Sequence, residues 1–241
     1  LIVGAGPGGA MAAYALGQAG VDVVLLDRAT FPRDKSCGDG LGYDALMLLT
    51  QMGLHSWIEA GEFSRNRQFL LSSPDGTSAV APGPEAKQSY AIPRTELDAQ
   101  LVETVVEAGA RLHTGTHVTA LERLAPDRVR LTATRDGEAV HYEALLVIAA
   151  DGGHATFTRS LGLAPRPAEM VAVRAYYEGD LGPADQFEIH WDAAVLPAYC
   201  WIFPSGAGRA NVGVGAHVRD VKAERLNLRA ELETFIAHNP H

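Results

Sequence analysis

Cysteine and positive charge are both scarce in this sequence of 241 residues. Cys37 and Cys200 are the only cysteines, which excludes a disulfide framework and makes a reduced, cytoplasmic location the expectation. The 20 Lys and Arg residues against 29 Asp and Glu residues leave a net charge of −9. The basic surface that nucleic acids require is therefore missing, and no nucleic-acid partner is expected.

Long apolar runs and common hydrolase motifs are missing as well. The longest clear apolar run, ALLVIAA, is far shorter than the roughly 18 residues of a membrane span. There is no G-x-S-x-G or H-E-x-x-H motif. His113 and His117 stand in a predicted strand or turn, where their spacing does not bring two imidazoles together, so no metal site is expected.

The two ends of the sequence are typical of a fragment. Leu1 lies inside LIVGAGPGG, with no initiator Met, and AELETFIAHNPH stops just after a helical pattern. We therefore expect a piece of a longer protein, cut at both ends. The composition, 47% apolar and 20% charged, is that of an ordinary globular protein with enough apolar residues to form a core.

Two patterns of predicted secondary structure follow one another along the chain. The first part alternates strands and helices, whereas residues 168–217 form long strands almost without helix. An α/β nucleotide-binding domain joined to a sheet-rich domain is the expected arrangement. A hairpin or an edge loop is predicted at 66–73 and 77–82 around Asp75-Gly76. Helices are predicted at 43–52, 94–109 and 222–237, and strands at 111–114, 117–123, 128–134, 138–142 and in ALLVIAA, which is expected to be buried.

Gly4, Gly6 and Gly9 form a G-x-G-x-x-G motif between a predicted strand and a predicted helix. Gly4 permits the tight turn, Gly6 lets a pyrophosphate approach the backbone, and Gly9 lets the helix pack close to the strand. The helix N-terminus offers N–H groups and a partial positive charge to the phosphates. Asp27 ends the second strand, where a carboxylate accepts hydrogen bonds from ribose hydroxyls and disfavours a 2′-phosphate. The pattern predicts dinucleotide binding.

Two later motifs indicate FAD as the dinucleotide. ADGGHATFTRSLG (150–162) resembles the Asp-Gly motif of class A flavoprotein monooxygenases and their relatives, with Asp151, Gly152 and Arg159 at matching positions. RTELDAQL (94–101) resembles the Arg-x-x-Leu-Asp-x-x-Leu helix of the same group. The resemblance implies that Arg94 reaches the flavin nucleotide.

Two further strings, FPRDKSCGDGL (31–41) and YCWIFPSGAGRANVGVG (199–215), narrow the resemblance to the geranylgeranyl reductase family, flavoproteins that saturate isoprenoid double bonds. In that family a cysteine and a glycine-rich turn lie near the flavin ring, which implies this place for Cys37. The resemblance also implies an α/β fold. It comprises a Rossmann-like FAD/NAD(P)-binding domain of three layers, ββα, with an inserted antiparallel β-sheet substrate domain. The family's third flavin motif would come after residue 241.

The predicted domains and sites follow from these motifs. The FAD-binding domain is expected at 1–65 and 87–165, the substrate-binding sheet at 66–86 and 166–220, and the start of a C-terminal helical segment that returns to the FAD domain at 221–241. No metal-binding residue is predicted. The predicted cofactor-binding residues are Gly4, Gly6, Pro7, Gly8, Gly9, Asp27, Arg28, Cys37, Gly38, Asp39, Gly40, Arg94, Asp151 and Gly152. The predicted substrate-binding residues are Tyr199, Trp201, Phe203, Pro204, Gly213 and Gly215.

Tyr199, Trp201 and Phe203 share one face of a predicted strand, because successive side chains of a strand point to opposite faces. Pro204 is expected to end that strand. A broad aromatic face either packs in a core or forms the wall of a cavity for an apolar ligand. Taken alone, the pattern favours core packing, whereas the resemblance favours a wall that holds an isoprenoid chain.

The resemblance implies an alkene reduction in which reduced FAD supplies a hydride and the protein supplies a proton. Cys37 is the predicted catalytic residue, as proton donor or as a residue that shapes the flavin site; a small side chain lining a turn is the structural alternative. Two roles are expected for the charged residues Arg33, Asp34 and Lys35: contacts with phosphates, or solvated charges in a loop. NAD(P)H or a ferredoxin-type carrier is expected as a transient electron donor.

Other functions share parts of this pattern. A flavin monooxygenase or epoxidase has the same glycine, Asp-Gly and Arg motifs, and a non-catalytic FAD- or lipid-binding module is a further alternative. A flavin-dependent halogenase fits less well, because its Trp-x-Trp-x-Ile-Pro motif is not present. The expected substrate is a small apolar isoprenoid on a lipid, quinone or prenyl alcohol. Peripheral contact with the inner face of the membrane is expected only through a lipid substrate, and no obligate protein partner is inferred.

Overall fold

The structure is a computed structural model that describes residues 1–83, 88–163, 167–179, 182–223 and 226–239. Its strands, in chain order, are β1 (Ile2–Val3), β2 (Val24–Leu26), β3 (Gly40–Leu41), β4 (Ser64–Asn66), β5 (Gln68–Ser72), β6 (Ser78–Pro82), β7 (Ser89–Ala91), β8 (Arg111–His113), β9 (Thr116–Ala125), β10 (Arg128–Arg135), β11 (Glu138–Ala144), β12 (Ile148–Ala149), β13 (Met170–Glu178), β14 (Gln186–His190), β15 (Cys200–Gly206) and β16 (Arg209–His217). Its helices are α1 (Pro7–Gln18), α2 (Tyr43–Gln51), α3 (His55–Ala60), α4 (Arg94–Glu107), α5 (Thr156–Ser160), α6 (Val218–Lys222) and α7 (Leu228–His238).

The first compact unit comprises Leu1–Lys35 and Arg94–Pro167. Its centre is a parallel sheet in the order β12-β1-β2-β8. Helices α1 and α4 pack against each other and against strands of this sheet. On the other face, Val3 and Leu26 pack with Val118, Leu131 and Phe157 in one apolar cluster. Through this cluster the antiparallel sheet β11-β10-β9 and helix α5 pack against the parallel sheet. The unit therefore has the three layers, ββα, that were predicted.

The second compact unit comprises Ser36–Pro93 and Ala168–His241. It contains a long sheet in the order β13-β16-β15-β14-β5-β6 and a small antiparallel sheet in the order β3-β7-β4. The predicted hairpin forms β5 and β6 around Asp75-Gly76. The long sheet is antiparallel as predicted, except that β14 pairs with β5 in parallel. Helix α7 packs on one face of the sheet through Leu232, next to Cys200 and Ile202.

The compact units and the predicted domains differ in where residues 36–65 and 88–93 belong. These segments pack in the second unit, because β3 and β4 both pair with β7 and because β15 packs against β4 and β7. The predicted boundaries at residues 86, 87, 165 and 166 lie outside the described residues. The assignment of FAD binding and substrate binding to separate domains stays a prediction.

The expectation that ALLVIAA forms a buried strand is wrong for most of its length. Ala144 is the last residue of β11 and Ile148–Ala149 form β12, whereas the side chains of Leu145 and Leu146 between them are 76% and 65% exposed. Strand β11 extends to Ala144, so the next residues connect the antiparallel sheet to the parallel one. In addition, within the described part of the chain β12 lies at the edge of its sheet and pairs with β1 alone. An apolar run alone does not distinguish these situations.

Two predicted boundaries also differ from the structure. Strand β15 continues through Pro204 to Gly206, because β14 pairs with it only at positions 200–202 and the missing N–H of Pro204 costs no pairing there. The helix predicted at 222–237 starts at Leu228, where the side chain of Asn227 accepts hydrogen bonds from the backbone N–H groups of Arg229 and Ala230. Residues 224–225 of that prediction lie outside the described residues.

Candidate functional site

A cleft of about 700 Å³ opens in the first unit where β1 and β2 end and helix α1 begins. Its volume lies in the range of ordinary cofactor and ligand sites. Further walls come from the loop at 33–35, the start of β9, and the segment from Ala150 to Phe157. Of the predicted cofactor-binding residues, those that line the cleft are Gly4, Gly6, Pro7, Gly8, Asp27, Arg28, Arg94, Asp151 and Gly152.

The first and third positions of the glycine turn at the cleft require glycine because no side chain fits there. Gly4 has a φ of +100°, and a Cβ built on it would lie 2.2 Å from the carbonyl oxygen of Ala150. A Cβ built on Gly9 would lie 1.8 Å from the carbonyl oxygen of Gly4. Pro7 is the first residue of α1, where its missing N–H breaks no helical bond. The turn therefore brings the N-terminus of α1 to the cleft with its N–H groups available to an anion.

We expect Gly9→Ala to lower the free energy of unfolding by about 2 kcal/mol, because the added methyl group forces the strand and helix apart. Gly8→Ala is the matched control, since a Cβ at Gly8 meets nothing within 4 Å in the first turn of the same helix. The control should be neutral or stabilising by up to about 1 kcal/mol. Urea denaturation of both variants measures the difference, and equal unfolding midpoints would contradict this account of the turn.

Asp27 stands at the end of β2, as predicted, and is almost completely buried. Its carboxylate accepts one hydrogen bond from the backbone N–H of Ala5 and another from that of Ala29, each at 2.8 Å. Each carboxylate oxygen can accept a further hydrogen bond, so ribose hydroxyls remain suitable partners. Asp27 thus fixes the glycine turn as well as offering acceptors to the cleft, a structural role that the sequence pattern did not indicate.

Arg33, Arg94 and Asp98 form a buried ion cluster beside Gly6. Asp98 is fully buried, and its carboxylate accepts hydrogen bonds from Nε and Nη2 of Arg94 at 2.7 Å each. It also forms an ion pair with Nη1 of Arg33 at 2.8 Å. A Cβ built on Gly6 would lie 3.6 Å from Nη2 of Arg33 and 3.9 Å from Nη2 of Arg94. Two guanidinium groups share one carboxylate, so a net positive charge faces the turn that a pyrophosphate would approach.

Asp98 was not among the residues predicted from the sequence. The i,i+4 spacing of Arg94 and Asp98 in one helix was a usable signal for an ion pair. The ion pair between Arg33 and Asp98 could not be predicted from spacing, because the loop that carries Arg33 is far from α4 in the sequence. The position of Arg33 at the cleft is consistent with the expectation that it contacts phosphates.

Asp151 lines the cleft and also holds the start of helix α5. Its carboxylate accepts hydrogen bonds from the backbone N–H of Phe157 at 2.9 Å, the N–H of Thr158 at 3.1 Å and the hydroxyl of Thr158 at 2.5 Å. Burial by itself would raise the pKa of Asp151, but the hydrogen bonds from Thr158 and Phe157 outweigh it and keep the pKa below its ordinary value. Gly152 follows with a φ of +77°, which favours glycine.

We expect Asp151→Ala to destabilise the protein by about 1 kcal/mol, the usual effect of losing a helix cap. Because the pKa of Asp151 is lowered in the folded state, its contribution is present above the pKa of the unfolded state and is lost as the pH falls through the folded-state pKa. Denaturation of the wild type and the variant at neutral pH and at acidic pH tests this. A stability difference that stays constant into the acidic range would contradict it.

In the second unit, the Cys37 loop (36–42) packs on the aromatic strand β15. Cys37 is half-buried. A Cβ built on Gly38 would lie 3.6 Å from both the Trp201 indole nitrogen and the Phe203 ring, and one on Gly40 would lie 3.7 Å from the Phe203 ring. The glycines therefore permit a close approach of the loop to the rings. The structure thus brings together two motifs that lie more than 150 residues apart in the sequence.

The rings of Tyr199, which directly precedes β15, and of Trp201 and Phe203 in β15 form a continuous row on one face of the long sheet. The ring centroids of Tyr199 and Trp201 are 6.1 Å apart, those of Trp201 and Phe203 are 6.2 Å apart, and Phe187 stacks on Phe203 at 4.5 Å. The alternate residues Cys200 and Ile202 pack in the apolar cluster on the opposite face. Trp201 is only 7% exposed, whereas Tyr199 is 40% exposed. Tyr199 is therefore the ring of this row that is most open to a ligand.

Gly213 lies directly beneath the Trp201 indole. The two residues pair across β15 and β16, and a Cβ on Gly213 would lie 2.2 Å from the ring. Gly215, also on β16, lies next to Ala198, with 3.5 Å between its constructed Cβ and the Cβ of Ala198. Pro204 is buried in β15. Gly213 therefore lets the indole lie flat across the neighbouring strand.

Asn211, which is buried, and Tyr176, which is half-buried, are polar residues near these rings that were not predicted from the sequence. Asn211 pairs with Phe203 across the sheet and so lies on the aromatic face. The signal for Asn211 was a single amide in the otherwise apolar alternation of ANVGVG. Tyr176, on β13, gave no signal that distinguished it from other strand tyrosines.

Two negative findings concern only the described part of the chain. Its residues contain no group of three or more His, Cys, Asp or Glu side chains that could hold a metal ion. None of its helices is long and apolar enough to cross a membrane.

The cleft, its glycine turn and its positive cluster define a dinucleotide-binding domain. The chain belongs to the FAD binding domain family, whose family model matches residues 1–189. This confirms the predicted FAD-binding fold. A solved structure of a geranylgeranyl bacteriochlorophyll reductase-like protein from Thermoplasma acidophilum has the same fold, with a TM-score of 0.82 at 23% identity over 99% of this chain and 61% of that protein.

Two curated relatives confirm the narrower resemblance. The chain is 39% identical to the menaquinone reductase of Mycobacterium tuberculosis over 238 residues, which covers 95% of this chain and 57% of the relative. It is 36% identical to digeranylgeranylglycerophospholipid reductase 1 of Methanopyrus kandleri over 223 residues, which covers 89% of this chain and 56% of the relative. The chain therefore spans somewhat more than half the length of these relatives.

Proposed function

We propose that this chain is the FAD-binding part of a reductase that saturates isoprenoid C=C bonds of a lipid, quinone or prenyl alcohol. The observation that carries the proposal is the contact between the Cys37 loop and the aromatic strand, in a chain whose first unit has the FAD cleft. The names of the two curated relatives support the same substrate class, since one is a reductase of a geranylgeranyl lipid and the other of menaquinone.

The residues of the cleft fit FAD by charge and shape. The N-terminus of α1 and the Arg33–Asp98–Arg94 cluster suit the pyrophosphate, and the carboxylate of Asp27 suits ribose hydroxyls. Arg28, Asp151 and Gly152 complete the proposed binding surface. When bound and reduced, FAD supplies a hydride to one carbon of the double bond.

Cys37 is the proposed source of the proton for the other alkene carbon. The π bond breaks, two C–H bonds form, and the thiolate left on Cys37 takes its next proton from solvent. Lys35, which lines the cleft, precedes Cys37 by two residues along the chain. The half-buried position of Cys37 is compatible with both an apolar substrate and exchange with water.

The apolar row at Tyr199, Trp201 and Phe203 is the proposed wall for the isoprenoid chain. Exposed Tyr199 would contact the substrate. Trp201 and Phe203 would pack against the Cys37 loop and hold it in place. NAD(P)H or a ferredoxin-type carrier is proposed as the transient donor that restores the reduced cofactor. Contact with a membrane is proposed only as a peripheral association through a lipid substrate.

Mass spectrometry of the full-length protein's products tests the proposal. The reduced enzyme is incubated without oxygen with menaquinone, digeranylgeranylglycerophospholipid and geranylgeraniol, and a gain of two hydrogens in the isoprenoid part is the expected result. Solved structures of flavin-dependent halogenases share this fold, so oxidative chemistry is measured in parallel. Oxygen uptake coupled to an oxygenated or halogenated product would overturn the proposal, and so would bound FAD that no donor reduces.

A further inference from the structure

A buried amide connects the Cys37 loop to the aromatic row. Asn211 is fully buried in β16. Its Oδ1 accepts a hydrogen bond from the Trp201 indole N–H at 2.9 Å. Its Nδ2 donates to the carbonyl oxygen of Cys37 at 2.7 Å and to the Asp39 carboxylate at 2.8 Å. A buried amide is costly unless its groups are bonded, and here both N–H donors and the carbonyl have partners.

Asp39 is the second fixed point of the loop. It is buried and has a φ of +61°, a conformation that costs a non-glycine residue about 1 kcal/mol and persists where surrounding contacts enforce it. Its carboxylate accepts hydrogen bonds from the Tyr176 hydroxyl and from Asn211, and its carbonyl oxygen accepts one from the N–H of Ile92 at 3.0 Å. Contacts from β13, from β16 and from the residue after β7 therefore define the loop's path next to the thiol.

We propose that Asn211 is a positioning residue, which holds the Cys37 backbone and the Trp201 ring in one geometry through a single side chain. This inference rests on the proposed function, because the geometry matters where a thiol must meet a double bond held against aromatic rings. Small errors in the placement of a reacting group lower rates strongly. Tyr176 acts in the same direction but indirectly, through Asp39.

The test compares Asn211→Leu with Tyr176→Phe and with Ser205→Ala as the matched control. Asn211→Leu removes all three hydrogen bonds of the amide and keeps the branching and the number of side-chain heavy atoms. Tyr176→Phe removes one hydrogen bond to Asp39. Ser205→Ala deletes a buried hydroxyl of neighbouring β15, which donates to the carbonyl oxygen of Arg209 at the start of β16, at 3.4 Å. Two readouts are measured on the full-length FAD-bound protein: the rate of Cys37 alkylation by iodoacetamide, and kcat and KM for alkene saturation.

We expect Asn211→Leu to speed alkylation of Cys37 about fivefold and to lower kcat about 10- to 100-fold, with KM nearly unchanged, because the chain still binds the substrate but no longer aligns the thiol. Tyr176→Phe should shift both readouts in the same direction by about two- to fivefold, and Ser205→Ala should leave both as in the wild type.

If Asn211→Leu and Tyr176→Phe both leave the alkylation rate and kcat at their wild-type values, the positioning role is overturned. The same holds if Ser205→Ala changes them as much as Asn211→Leu does, because the effect is then general loosening. If the wild type saturates no alkene while Asn211→Leu still speeds alkylation, the proposed function fails and the positioning of the loop by Asn211 stands.

Discussion

Under the proposed function, replacing Cys37 by alanine is expected to slow alkene saturation about 10²- to 10⁴-fold, the range that a positioned general acid contributes. An isolated alkene has no carbonyl group to polarise, so the proton must come from an acid held near the second carbon. In the variant, that proton has to come from water, which the apolar row formed by Tyr199, Trp201 and Phe203 tends to exclude. Single-turnover reduction of a prenyl quinone, followed by mass spectrometry, measures the rate.

Two properties of the Cys37→Ala variant separate proton donation from a role in shaping the flavin site. If Cys37 is the donor, FAD affinity and the visible flavin spectrum stay unchanged while the rate falls, and the solvent deuterium isotope effect of the wild-type reaction is altered. If Cys37 shapes the site, affinity and spectrum change together with the rate. Saturation at the wild-type rate would remove Cys37 from the mechanism.

Cys200→Ala is the matched control for this experiment. Cys200 packs with Ile202, Val212 and Leu232 on the face of the sheet opposite the aromatic row. Burial, with smaller contributions from Asp192 and Glu231, raises the pKa of its thiol to about 12, so it is a poor acid and a poor nucleophile. We expect this variant to lose about 1 kcal/mol of stability and no activity per folded molecule. Iodoacetamide should label Cys37 in the native protein and Cys200 only after unfolding.

Asp98→Asn is expected to lower the free energy of unfolding by about 3 kcal/mol, because it leaves two largely buried guanidinium groups without their shared charge. Arg33 and Arg94 then repel each other next to Gly6. An anion bound at the turn would compensate the positive charge of the two guanidinium groups. FAD should therefore raise the melting temperature of the variant by more than it raises that of the wild type. Thermal and urea denaturation with and without FAD measure both effects.

Asp22→Asn provides the comparison, since Asp22 pairs with Arg111 at the same distance of 2.7 Å but both side chains are exposed. Solvent and salt screen such a pair, and its loss should cost at most about 0.5 kcal/mol. The comparison of the two variants therefore measures how burial of an ion pair, at equal contact distance, changes its contribution to the free energy of unfolding. Equal destabilisation by Asp98→Asn and Asp22→Asn would show that the cluster beside Gly6 behaves as a surface ion pair.

Local patterns carried most of what could be predicted. The glycine turn, Asp27 at the end of β2, helices α2 and α4, and the strands of the antiparallel sheets follow from neighbouring residues whose conformational preferences act within a few positions. The boundary errors have the same origin. The extent of β12 depends on the strand beside it, and the end of β15 depends on where its neighbour β14 stops pairing. Strand β1 is remote from β12 in the sequence, and β14, although it is the strand before β15, lies outside the few positions over which local preferences act.

The sequence by itself determined the class of fold, the dinucleotide motif and the resemblance to prenyl reductases, because each is written in short runs of fixed spacing. Only the tertiary structure decided that Arg33 joins Arg94 on Asp98, that the Cys37 loop packs on the rings of β15, and that Asn211 connects the two. Arg33 and Asp98 are 65 positions apart in the sequence, and Cys37 and Asn211 are 174 positions apart. The spacing of residues along the chain does not predict which of them meet in space. Those contacts are set by the packing of the whole sheet and by the need of its buried polar groups for hydrogen-bond partners.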